Sequence, residues 1–150
     1  MKLFKTVFFL GIALVFLGAC SKSDSTPEKT LTTKWFYASQ SELNHYNNAF
    51  NNFPMSGNSY LELKSNKQFY VSLSEPNKPS STATGTWTQV DATHLQLTVS
   101  SATGSVDPTL TYPYSTTFTI LTFTNSALVL QSQETNASGR LYTYTDYFTR

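Results

Sequence analysis

Cys20 carries the single thiol of this 150-residue chain. It directly follows Leu17-Gly18-Ala19, at the end of an apolar run from Val7 to Leu17 with Lys2 and Lys5 in front of it. A thiolate is a nucleophile open to acylation or oxidation, and with no second cysteine it cannot close an intramolecular disulfide. Other side chains able to do chemistry are sparse. Of the 2 histidines, His45 stands three residues after Glu42, a spacing that lets two ligands on a helix share a metal ion. No third ligand stands nearby, so a solvated face is expected there. His94 opens a strand after a turn and is expected at the surface. Serines are abundant, yet no Gly-x-Ser-x-Gly elbow occurs. The 9 carboxylates are scattered, with no pair set for glycoside hydrolysis. A P-loop and a dinucleotide fingerprint are both missing from the sequence. The expectation is a protein that is not an enzyme and uses no metal and no cofactor.

Around Cys20 the sequence has a basic start, an apolar stretch and small residues, the pattern of a secretory signal peptide over residues 1–19. The apolar run falls short of the roughly 20 residues that a membrane-spanning helix needs. Leu17-Gly18-Ala19-Cys20 resembles the lipobox of bacterial lipoproteins, where that thiol is diacylated and becomes the first residue of the mature chain. The resemblance implies lipid attachment at Cys20, palmitate among its acyl groups, and a membrane as partner. It also implies a cell-envelope address, expected at the outer membrane of a Gram-negative bacterium. Residues 20–30 then form the lipidated cysteine and a flexible tether, since Ser21–Thr30 is polar, contains Pro27 and has no periodicity.

These features serve one domain, residues 31–150. Charged residues are only 13% of the chain, about half the usual ~25%, and the formal net charge is +1. With no basic patch, nucleic acid is not expected as a partner. Ser and Thr alternate with apolar residues, as in Thr82-Ala-Thr-Gly-Thr-Trp-Thr88, which a half-exposed β-surface requires. Strands are expected over 31–38, 59–63, 68–74, 82–90, 94–100, 112–121, 127–135 and 140–149, most of them joined by hairpin-length turns. One stretch differs. Ser39 to Glu42 has capping-box spacing, and Leu43, Tyr46, Asn47 and Phe50 fall three to four apart, which predicts a short helix near residues 40–50. A loop from Asn51 to Asn58 is expected to end it. The pattern is all-β and antiparallel, a barrel or sandwich rather than βαβ units.

The order of Lys34-Trp35, Tyr60-Leu-Glu-Leu-Lys-Ser-Asn-Lys-Gln-Phe-Tyr70, Gly85-Thr-Trp87, Phe118-Thr-Ile-Leu-Thr122 and Tyr147-Phe-Thr-Arg150 resembles the small lipocalin-like lipoproteins common in Bacteroidetes. That implies a lipocalin-like β-barrel of about eight strands, with Arg150 packed over Trp35. It also implies a binding module that holds a small apolar ligand inside the barrel and acts as a monomer. The residues expected to touch the ligand are Tyr46, Phe50 and Phe53, on a connection across the mouth, together with Trp87. The alternative is a solid-cored interaction module whose loops contact a protein or glycan. Sixteen large residues, from Leu61 to Phe148, share one face of the expected strands and could fill a barrel of this size. Interior volume therefore separates the two readings.

Overall fold

In the computed structural model residues 30–74, 79–104 and 111–150 are described. The leader expected over 1–19, Cys20 and all of the tether before Thr30 lie outside the described residues. The alternating segments form nine strands: β1 (Lys34–Asn44), β2 (Ala49–Pro54), β3 (Tyr60–Leu63), β4 (Gln68–Leu73), β5 (Ser81–Gln89), β6 (His94–Thr103), β7 (Tyr114–Phe123), β8 (Ala127–Thr135) and β9 (Leu141–Thr149). Strands β1, β3, β4, β5, β6, β7, β8 and β9 pair in that order, all antiparallel. β9 then pairs with β1, from Phe36↔Thr149 to Asn44↔Tyr142, and closes an eight-stranded barrel. Closure leaves the ring without a free edge.

β2 stands outside the ring. β1 pairs with β3 only over Lys34–Phe36, and farther along the same edge, over Ser39–Asn44, it pairs with β2. The helix expected over 40–50 is therefore not formed: residues 40–44 are strand, and a turn leads into β2. The loop expected from Asn51 likewise begins only after Pro54. Two physical causes override the helical spacing. Residues 39–44 are hydrogen-bonded on both edges, to β9 and to β2, which a local helix would forfeit. The asparagines also favour a turn, because their side chains compete for backbone amides. Asn44 Oδ1 accepts from the Tyr46 N–H at 3.0 Å and Asn47 Oδ1 from the Ala49 N–H at 3.0 Å, while Asn48 adopts φ 54°.

One end of the barrel is packed solid. Trp35 is 0% exposed, its indole N–H donates to the Leu31 carbonyl at 3.1 Å, and its ring meets Phe123 edge-on at 6.1 Å. The Arg150 guanidinium lies 5.3 Å from the Trp35 ring centroid, as the resemblance implies, and donates to the Asn125 carbonyl at 3.4 Å. Leu61, Leu63, Phe69, Leu95 and Leu128 complete this core. Trp87 belongs to it as well. Its indole N–H donates to the Lys64 carbonyl at 2.9 Å and Lys67 Nζ stands 3.9 Å from its ring centroid, which ties β5 to the β3–β4 turn. Two residues earlier, Gly85 is required by close approach: a Cβ there would lie 1.9 Å from the Thr98 carbonyl oxygen on β6.

Trp87→Ala should thus cost roughly 3–5 kcal/mol in chemical denaturation, the range for deleting a large buried aromatic side chain. A loss below about 1 kcal/mol would mean that the tryptophan contributes little to the packed end.

Candidate binding cavity

Toward the other end the side chains facing inward become smaller or polar. Ala83 of β5, Thr116 of β7 and Ser132 of β8 occupy lining positions there, and the barrel retains a cavity of about 890 Å³. That lies within the roughly 300–1,000 Å³ typical of small-molecule sites. Its apolar wall includes Val71, Leu73, Val99, Phe118, Leu130 and Phe148. The expectation that large residues could fill the interior fails at this level, because several inward positions carry side chains too small to meet across the barrel.

A polar cluster is set into the wall. The β1–β9 register slips by one residue between Tyr37 and Ser39, a β-bulge at Ala38. An extra residue reverses which side chains face inward. Before the bulge these are Trp35 and Tyr37; after it Gln40 faces the cavity, opposite Asp146 of β9. Tyr37 and Gln40 thus converge on one carboxylate. The Tyr37 hydroxyl donates to Asp146 Oδ1, and Gln40 Nε2 donates to the same oxygen at 2.9 Å and to the Tyr37 hydroxyl at 3.3 Å. Asp146 is 8% exposed. Burial holds its proton above the usual carboxylate range, with the donors of Tyr37 and Gln40 pulling partly the other way. Burial likewise raises the Tyr37 hydroxyl, reinforced by the Asp146 charge, so Tyr37 remains a donor. Nearer the mouth, Tyr144 is raised by burial and then by Glu42 and Glu134, and Tyr114 by burial and then by Tyr112 and Glu134.

The residues singled out from sequence stand elsewhere. Tyr46 is 73% exposed, Phe50 66% and Phe53 is exposed as well; Phe50 and Phe53 belong to β2 and Tyr46 to the turn before it. The Arg140 guanidinium covers Tyr46 at 4.5 Å. Trp87 sits in the packed end, and none of the four is among the cavity-lining residues. Glu42 accepts from Asn51 Nδ2 at 3.2 Å and His45 Nε2 meets Thr143 Oγ1 at 2.8 Å, two separate contacts on β1 and its turn. His94 is a surface partner of Asp91 at 2.8 Å. The Asp91 carboxyl is lowered to about 2, first by the Thr93 backbone N–H and then by His94. Among the described residues no group of three or more His, Cys, Asp or Glu is placed to hold a metal ion, and no helix is long and apolar enough to cross a membrane. The Asp146 cluster was missed from sequence, although a signal exists. In Tyr142-Thr-Tyr-Thr-Asp-Tyr-Phe148 the acid shares the parity of Tyr142, Tyr144 and Phe148, the inward set.

Comparison with known proteins adds no family: no family model matches the chain, and no curated protein matches it. Among solved structures, the chain is similar to an uncharacterized protein from Bacteroides eggerthii, at 11% identity and a TM-score of 0.45, covering 79% of this chain and 100% of that one. It is also similar to a deswapped triple mutant of bovine odorant binding protein, at 14% identity and a TM-score of 0.41, covering 77% and 70% respectively. The fold class rests on the strand pairings themselves: a closed, antiparallel, eight-stranded barrel.

The Asp146 environment has a sign that can be measured. The folded chain holds this proton to a higher pH than the unfolded chain does. The site therefore costs stability as pH rises above the unfolded carboxylate range near about 4, and nothing below it. In Asp146→Asn the amide oxygen can still accept from Tyr37 and Gln40 with no charge buried. Urea denaturation should show Asp146→Asn more stable than the wild type at about pH 7.5, with the difference closing as pH falls toward about 4. A variant equally destabilised at both pH values would contradict this.

Proposed function

We propose that the barrel is a binding module, not an enzyme, and holds a small, mainly apolar ligand inside its wall. The cavity of about 890 Å³ carries this reading, because the alternative it competes with is a solid core. Its lining, apolar with a few convergent polar groups, has the chemistry usual for small-molecule sites. We further propose that the module acts as a monomer, tethered to an outer membrane through lipid on Cys20 after removal of residues 1–19. Support for the tether comes from Leu17-Gly18-Ala19-Cys20 behind its apolar run and from the polar residues 21–30.

One observation favours a second reading, an interaction module that contacts a protein or glycan. Tyr46, Phe50 and Phe53 are exposed together on the β1–β2 hairpin, outside the ring. Exposed aromatic side chains of this kind are common at contact surfaces.

Binding of the apolar fluorophore N-phenylnaphthylamine separates the two. Ala83→Phe, which adds bulk inside the cavity, should weaken its binding by about tenfold, since losing about 1.4 kcal/mol of contact suffices for that. Phe50→Ser with Phe53→Ser should leave binding within about twofold of the wild type, a difference under about 0.5 kcal/mol. The opposite pattern would move the site to the hairpin.

The anchor has its own test. The wild type should incorporate labelled palmitate and partition with membranes, and Cys20→Ala should do neither or remain an unprocessed precursor. Several acyl chains at about 0.8 kcal/mol per buried CH₂ far outweigh the cost of a polar tether. Wild-type protein that takes up no palmitate would reject the assignment.

A further inference from the structure

Asp146 is placed unlike a residue that only braces the wall. Both of its protein donors, Tyr37 and Gln40, serve Oδ1. Among the described residues Oδ2 receives no hydrogen bond. Nor is it sealed in the wall, because Ser56 Oγ is the only fully enclosed side-chain polar atom without a partner among the described residues. Asp146 lines the cavity, so this second oxygen meets the cavity itself. Removing a carboxylate from water is costly unless a donor or a positive charge meets it. Among the described residues that line the cavity there is no lysine, arginine or histidine. A positively charged donor that enters the cavity would supply the missing partner.

Other groups along the path have the same sign. Glu134 lines the cavity beside Tyr144 and Tyr114, and Glu42 acts on Tyr144 from β1. Carboxylates attract a cation, and the faces of tyrosine rings do so too. Elsewhere on the wall, Val71, Leu73, Val99, Leu130 and Phe148 offer only apolar surface. We infer that the cavity takes an amphiphilic amine, whose ammonium group donates to Asp146 Oδ2 and whose apolar body lies against β4, β6, β8 and β9. This deepens the binding-module reading and rests on it. A purely structural acid would serve as well with an amide in its place, since the Tyr37 and Gln40 bonds need only one acceptor oxygen. The free oxygen and the absence of a lining cation are what such a role would leave without purpose.

The test displaces N-phenylnaphthylamine, which is uncharged near neutral pH, from the purified full-length chain. The competitors are phenylbutylamine, phenylbutanol and phenylbutyrate, alike in body and different in head group. The wild type should favour the amine over the alcohol by about tenfold or more, the strength of one charge-assisted hydrogen bond, with the acid weakest. In Asp146→Asn the ratio of amine to alcohol affinity should shrink to about twofold or less, whatever the change in fluorophore affinity. Equal displacement by amine and alcohol in the wild type would overturn the amine assignment and leave the pocket standing, whether or not the variant folds. So would a preference that persists in Asp146→Asn. No binding of the fluorophore by the wild type would overturn the pocket itself, and the inference with it.

Discussion

The pairing of β1 with β9 closes the ring, and the rest of the molecule depends on it. Without it two strand edges would be exposed along the barrel, and the core between them would be open to water. The ladder runs from Phe36↔Thr149 to Asn44↔Tyr142, with the bulge at Ala38 near its start. Below the bulge, β1 turns Trp35 into the packed end and Tyr37 toward Asp146. Above it, the reversed parity turns Gln40 inward against Asp146. One extra residue thus divides a continuous strand into a half in the packed end and a half along the cavity.

That division also sets how stability is distributed. At the packed end, indole N–H groups reach backbone carbonyls, Arg150 covers Trp35, and leucines from β3, β6 and β8 meet across the interior. Such close packing gains dispersion and apolar burial that help hold a barrel of this size. It lets the other end remain hollow and carry a buried acid. Each of those features is a local cost to the folded state, and sites that bind often have that character. Outside the ring, β2 adds no side chain to the cavity wall, and its Phe50 and Phe53 stand exposed.

Much of the fold was legible because a period of two is hard to mistake once turns bracket it. The hairpins around Lys64–Lys67, Asp91–Thr93 and Thr124–Ser126 appear where the alternation and turn residues predict them. Arg150 over Trp35 was foreseen from resemblance, through residue types at the two chain ends of the domain. What escaped is what non-local pairing decides. Leu43, Tyr46 and Phe50 satisfy helical spacing by accident, while the partner that makes Ser39–Asn44 a strand lies a hundred residues away on β9. The bulge at Ala38 has no local signature either. Because it sets which side chains look inward, Gln40 could not be assigned to the cavity from sequence. Asp146 could have been, from its parity with Tyr144 and Phe148. Counting large residues could not decide whether a cavity exists, since small residues such as Ala83, Thr116 and Ser132 also occupy lining positions.

The central claim is that this barrel binds its ligand inside the wall rather than on the hairpin. Intermolecular nuclear Overhauser contacts between the full-length chain and bound N-phenylnaphthylamine test it most directly. The account predicts contacts from the ligand to the methyl groups of Val71, Leu73, Val99 and Leu130, which share the cavity. Contacts confined to the rings of Tyr46, Phe50 and Phe53 would contradict it.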